Sequence, residues 1–226
     1  MKTFAYFGLI FVLFGFTSCI EIIDDITLKN DGSGTLKYSI NLSSNKVKIN
    51  SILALDSLEG KKVPSLAEIE AEIISFKNKL DAQTGISQVI VDYNFTDFIF
   101  KIQCDFTSVS ALQTAIKEVV QELSKEKNMP ELDHNWLSWD GTKIVRSIPD
   151  ITTKRVKELK PEDIELLKTG NYTSISRFER MVEKFDNPSA TLSKNKLAVM
   201  IRTNPYALSQ NSNILENTIY LSPIKN

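Results

Sequence analysis

Few residues in this chain could carry chemistry: two cysteines, Cys19 and Cys104, and a single histidine, His134. A cysteine acts as a nucleophile or metal ligand only as its thiolate, which needs a nearby base or cation. With one histidine, any nucleophile–base pair would rest on Asp133-His134, in a polar stretch followed by Asn135 and Trp136. Such a histidine is read here as a turn residue and candidate interaction group, and no catalytic residue is assigned. Cys104 sits in FIFKIQCDF, where period-2 alternation puts Phe98, Phe100, Ile102, Cys104 and Phe106 on one face. That makes it a small buried hydrophobe.

Other chemical signatures are missing. The chain has no Gly-x-Ser-x-Gly elbow, phosphate-cradling loop, dinucleotide fingerprint or Cys/His cluster at metal spacing. Asp31-Gly32-Ser33-Gly34 lacks the further oxygen ligands of a calcium loop and reads as a turn. No cofactor and no metal is therefore expected. Of the carboxylate pairs, Asp24-Asp25 reads as a solvated charge on a first strand. Glu162-Asp163 reads as first-turn acids that complement a helix dipole. An envelope hydrolase using scattered carboxylates remains the alternative function, because such chemistry needs two carboxyls facing one cleft.

Cys19 is placed differently, at the end of FGLIFVLFGFTSC. One positive charge at Lys2 precedes an apolar run from Phe4 to Phe16. A helix of that length reaches about 20 Å, short of a hydrocarbon core of roughly 30 Å. The basic start, short apolar run and small residues Thr17-Ser18 fit a secretory signal ahead of a cleavage site. Phe16-Thr17-Ser18-Cys19 resembles the lipobox of bacterial lipoproteins, whose cysteine thiol receives a diacylglyceryl group before cleavage ahead of it. Phe16 stands where the usual pattern has an aliphatic residue, a loose form that resembles Bacteroidota lipoproteins. The resemblance implies a signal peptide over 1–18, cleavage between Ser18 and Cys19, and lipidation of Cys19. Two or three acyl chains on one residue hold a protein on a bilayer essentially permanently.

Loss of Lys2 with the signal leaves 26 basic against 28 acidic residues, a net charge of −2. That balance is too acidic for a nucleic-acid surface and too mild for a disordered, solvating tail. Residues 19–226 are long enough to bury one good core or two small ones, with 128–133 as the candidate seam.

Secondary-structure signals run through the whole of that body. Ile20–Lys29 and Thr35–Leu42 read as a hairpin turned at Asn30–Gly34, followed by a short helix in Asn45–Leu55 contributing Ile49, Ile52 and Leu53. Ser65 and Glu68 form a capping box for a helix whose Leu66, Ile69, Ile73, Phe76 and Leu80 share a face. A second hairpin, Ile86–Phe95 and Thr96–Phe106, leads into a helix from Val109 to Lys127 with Leu112, Ile116, Val119 and Leu123 along its stripe. Asp140-Gly141 turns a third hairpin, Pro161–Lys168 is a helix, and strands near Ser174–Lys184, Ala190–Arg202 and Asn217–Leu221 complete the chain. The fold class is α+β: largely antiparallel sheet with helices packed on one face, opening β-β-α-β-β-α. With no Ser/Gly/Pro tether after Cys19, the first sheet edge is expected near the headgroups. Alternation groups Leu137 with Trp139 as core and leaves Trp136 as the interaction candidate, unless helices or C-terminal strands cover both tryptophans.

Cys19, Ile26-Thr27-Leu28, Asp31-Gly32-Ser33-Gly34 and Tyr38-Ser39-Ile40 together resemble Bacteroidota lipoproteins of uncharacterised function and, distantly, LppM-type lipoproteins. This implies an α+β body close behind a lipid anchor, and no catalytic residues. The acids after Cys19 (Ile20-Glu21-Ile22-Ile23-Asp24-Asp25) are interrupted by strand-forming aliphatics. A surface-export tag would be less interrupted, so the outer membrane's periplasmic leaflet is expected. The function read from the sequence is a non-catalytic, membrane-anchored module for an envelope protein or lipid. Cys19→Ser is expected to abolish acylation and either block cleavage or release the protein to the soluble fraction. Detergent partitioning and mature mass measure this, and unchanged values of both would refute it.

Overall fold

A computed structural model of the chain describes residues 20–58, 60–123, 133–147 and 161–224. Ser18, Cys19 and the 128–132 part of the expected seam lie outside them. Strands β1 (Glu21–Leu28) and β2 (Gly34–Asn41) form the first hairpin, in register from Glu21 opposite Asn41 to Leu28 opposite Gly34. Its turn closes because the Asp31 carboxylate accepts from the Ser33 N–H and hydroxyl while Gly32 takes φ +86°. A 3-10 turn at Ser43–Asn45 leads to α1 (Lys46–Leu53) and a small hairpin, β3 (Ser57–Leu58) with β4 (Lys61–Lys62). Helix α2 (Leu66–Asp81) starts at the expected capping box: Ser65 Oγ accepts from the Glu68 N–H at 3.2 Å, and the Glu68 carboxylate accepts from the Ser65 N–H at 2.8 Å. Such a cap is worth about 1 kcal/mol.

The hairpin β5 (Ile86–Asn94) and β6 (Ile99–Phe106) then leads into α3 (Val109–Leu123). Beyond it come β7 (Leu137–Trp139), β8 (Lys143–Arg146), α4 (Pro161–Thr169), β9 (Asn171–Phe178) and β10 (Val182–Phe185). The last elements are β11 (Thr191–Leu192), β12 (Ala198–Thr203), α5 (Pro205–Gln210) and β13 (Asn217–Leu221).

The fold is α+β. Seven strands form one sheet in the order β11-β12-β9-β1-β2-β6-β5, antiparallel throughout except where β1 runs parallel to β9. Strands β10-β13-β8-β7 make a smaller antiparallel sheet. One face of the large sheet is covered in two parts. Helices α2 and α3 lie over β5 and β6, while β8 and β13 place Ile144 and Ile219 opposite Ser174, Ser176, Val199 and Ile201. The two parts are tied by Gln113 of α3, whose side-chain oxygen accepts from the Leu137 N–H at 3.0 Å. Ile26, Leu28, Cys104, Phe106, Leu112, Val119, Leu137 and Ile144 are the centre of the resulting core.

Three expectations change. β1 was read as a sheet edge and is the fourth of seven strands, because β9 from the second half pairs with it. Ile49, Ile52 and Leu53 of α1, expected to contribute to the interior, are only half-buried. Neither late stretch is one long strand: 190–202 is a hairpin, β11 and β12, turned through Lys196 at φ +58°, and 174–184 holds the end of β9 and the start of β10, which belong to different sheets.

Gly34 has no room for a side chain: a Cβ would lie 2.0 Å from the Thr27 carbonyl oxygen and 2.6 Å from Phe106 Cζ. Gly141, at φ +92°, has open space around that position. Gly34→Ala is expected to cost about 3 kcal/mol through backbone displacement, and Gly141→Ala only about 1–2 kcal/mol from the left-handed conformation. Denaturant unfolding of both variants checks this, and equal losses would contradict it.

Candidate functional site

The inner face of β1, β2 and β6 carries rows of paired residues. Ile26, Leu36 and Cys104 form one row, with Asp24, Tyr38 and Ile102 beside it. Over these rows, α2 brings Phe76 and Leu80 and α3 brings Ile116 and Val120. Helices and sheet do not close completely. Between them lies a cavity of about 400 Å³, bounded on a further side by Trp136 just ahead of β7. Its wall is aliphatic and aromatic apart from Asp24, the Tyr38 hydroxyl and the Cys104 thiol. This volume and character fit a small-molecule site, for which roughly 300–1,000 Å³ is usual.

The polar groups at the wall are held in fixed states. Asp24 is 6% exposed; one carboxylate oxygen accepts from Arg146 Nη1 at 2.6 Å and from the Tyr172 hydroxyl at 3.2 Å. Its other oxygen, Oδ1, is buried without a hydrogen-bond partner, as is Arg146 Nη2. Lost solvation opposes the charge on Arg146, but the Asp24 carboxylate prevails and keeps the guanidinium pKa above its ordinary value. Tyr172 is pushed well up, first by burial and then by the Asp24 charge. The same two causes raise Tyr38 to about 12. Burial raises the Cys104 thiol to about 11, so near neutral pH it is an uncharged wall group and a poor nucleophile. A guest in the cavity would meet hydrocarbon above all, since both Asp24 oxygens are buried or engaged.

Asp24 was read from the sequence as a solvated charge and is instead buried against Arg146, because β8 lies over β1 and β9. Asp25, on the other face, is bound by Arg177 at 2.9 Å. Trp136 and Trp139 are both half-buried and packed on the core, so Trp136 is a cavity wall and not a freely exposed aromatic. Trp139 packs at Gly32 beneath the Arg180 guanidinium, 5.7 Å from the ring centre. His134 lies with Nε2 at 3.1 Å from the Ser147 hydroxyl and 3.2 Å from its carbonyl, apart from the cavity-lining residues. The side chains of Glu162 and Asp163 lie outside the described residues, as do Ser18 and Cys19. Among the described residues no three His, Cys, Asp or Glu side chains group in a way that could hold a metal ion.

The periodicity of β6, α2 and α3 pointed to Ile102, Cys104, Phe76, Leu80 and Ile116 as inward-facing. It carried no sign that they would stand apart around a space. Two other depressions are less suited to a ligand. One, on the opposite sheet face, has charged groups paired with one another, Asp92 with Lys101 and Asp25 with Arg177. The other, around Asn187 and Asn217, spends their amides on loop backbone.

A scan against protein-family models finds no match, and a search of curated proteins finds none. Among solved structures, the NMR structure of the folded domain of the Mycobacterium tuberculosis protein LppM is similar at TM-score 0.38 and 11% identity. The match covers 90% of this chain and 91% of that one. At that level it transfers neither ligand nor activity.

Cys104 and Tyr38 hold their protons more tightly in the folded chain, so their contribution to stability is complete below about pH 9. It is lost as pH rises through 11 and then 12. The urea midpoint is expected to fall across that window, with Cys104→Ala removing the earlier part of the fall and Tyr38→Phe reducing the later part, to which Tyr172 also contributes. Profiles for both variants that parallel the parent protein would contradict the assignment.

Proposed function

We propose that this chain is an envelope lipoprotein, anchored through acylated Cys19 in the periplasmic leaflet of the outer membrane. Its body is a non-catalytic module that takes the apolar portion of a lipid or similar amphiphile into the cavity beneath α2 and α3. The observation carrying this reading is the cavity itself: about 400 Å³, walled by Leu36, Phe76, Leu80, Ile102, Ile116 and Val120 with Trp136 at its side. Empty apolar space of that size sacrifices packing contacts, and an apolar guest restores them. The wall presents almost only apolar surface, and Asp24 Oδ1 is shut inside it, so apolar contact is what holds the guest.

The hydrolase alternative has less support. Asp24 and Asp25 are each engaged by an arginine, and the Cys104 thiol stays protonated well above neutral pH. His134 faces Ser147, away from the cavity.

Val120 is a half-buried wall residue, so Val120→Trp is expected to fill the cavity while sparing the core. Titration of the acylated protein with a fluorescent long-chain alcohol should show affinity reduced about tenfold, equivalent to ~1.4 kcal/mol. Ile90→Trp, on the opposite sheet face, should leave affinity unchanged. Equal affinity in Val120→Trp and the parent, with both folded, would dismiss the cavity as the binding site.

A further inference from the structure

The inner face of β9 departs from the pattern of its neighbours. Its residues run Tyr172, Ser174, Ser176 and Phe178, so two serines occupy the middle of a strand that the smaller sheet covers. Aliphatic side chains fill the rest of this layer: Ile144 and Ile219 from the smaller sheet, Val199 and Ile201 from β12. A serine is shorter than any of these, and a small space is left over the pair. It measures about 10 Å³, close to the threshold for a single water molecule.

The groups bordering this space are polar and unpaired. Ser174 and Ser176 are 4% and 6% exposed, and among the described residues neither hydroxyl has a hydrogen-bond partner. Arg146 lines the same space; its Nη1 is spent on Asp24, and its Nη2 is buried with no partner. Register explains the meeting. Ser174 lies beside Asp24 across the β1–β9 pair, so the guanidinium that binds Asp24 also stands over Ser174. Three buried polar groups from two sheets thus face one another across a gap. Groups of this kind in folded proteins almost always find a partner, either protein or water.

We propose that this space is a built site for one water molecule that bridges the two sheets. The water accepts from Arg146 Nη2 and donates to the hydroxyl oxygens of Ser174 and Ser176, making about three hydrogen bonds, the usual number for an internal water. Size and charge rule out other occupants. The space is too small for an organic molecule or a polyatomic anion. Asp24 already balances Arg146, so no net positive charge is left to hold an anion, and the guanidinium repels a cation. Bound there, the water extends the Asp24–Arg146 tie from β1 to the serines of β9. The site depends neither on the anchor at Cys19 nor on the larger cavity.

A crystal structure of the full chain, at a resolution that shows ordered water, tests this directly. One density peak within hydrogen-bonding distance of Arg146 Nη2 and both serine hydroxyls is expected. A dry space, or a peak that misses Arg146, would overturn the site. Stability adds a test whose sign depends on the water. A buried hydroxyl with no partner disfavours the folded state, so without the water Ser174→Ala and Ser176→Ala would raise the urea midpoint or leave it unchanged. With the water, each substitution removes an acceptor and both midpoints fall. Oxygen-17 relaxation dispersion counts long-lived internal waters, and Ser176→Val, whose methyls fill the space, should hold one fewer than the parent protein. Equal counts in the two folded proteins would overturn the proposal. Where a variant does not fold, the crystal structure of the parent decides alone.

Discussion

The architecture turns on a buried charge. Asp24 sits in the middle of the central strand, and its carboxylate would be untenable there without the Arg146 guanidinium at 2.6 Å. Removing either ion from such a pair leaves the other desolvated and alone, at a cost of about 3–5 kcal/mol. The pair therefore acts as a registration device between the sheets. Arg146 lies on β8 of the smaller sheet, Asp24 on β1 of the larger, and Tyr172 on the neighbouring β9 donates to the same oxygen. A slip by one residue in the β1–β9 register would turn Asp24 to the outer face and strand Arg146. The parallel pairing of β1 with β9, which joins the N-terminal hairpin to the C-terminal strands, thus has an electrostatic check on its register.

The same constraint shapes the cavity. With the smaller sheet held over β9 and β1, α2 and α3 are left to cover β5, β6 and β2. The junction of the two coverings falls at Trp136, where the chain passes from beside α3 into β7. Neither covering fills the junction, and the space left is lined by the residues both had buried. Asp24 is at once the anchor of the registration and a wall of the cavity.

Local chemistry was legible in the sequence because it depends on neighbours a few residues apart. The Ser65–Glu68 capping box, the Asp31 and Asp140 turns, the alternation that buries Cys104 and the stripes of α2 and α3 all reflect 2-fold or 3.6-fold periods and short side-chain reaches. Three features were decided only by tertiary structure. The β1–β9 pairing joins residues about 150 apart, and a strand's alternation does not say which strand lies beside it. The fate of Asp24 followed from that pairing: a strand carboxylate with no local partner reads as solvated until a distant arginine is folded over it. α1 has the apolar positions of a core helix, but α2 and α3 cover the sheet, so Ile49, Ile52 and Leu53 reach only half-burial and Val47 stays exposed. Periodicity determines which residues seek burial. The competition among elements for one sheet face determines which of them obtain it, and where a space is left between them.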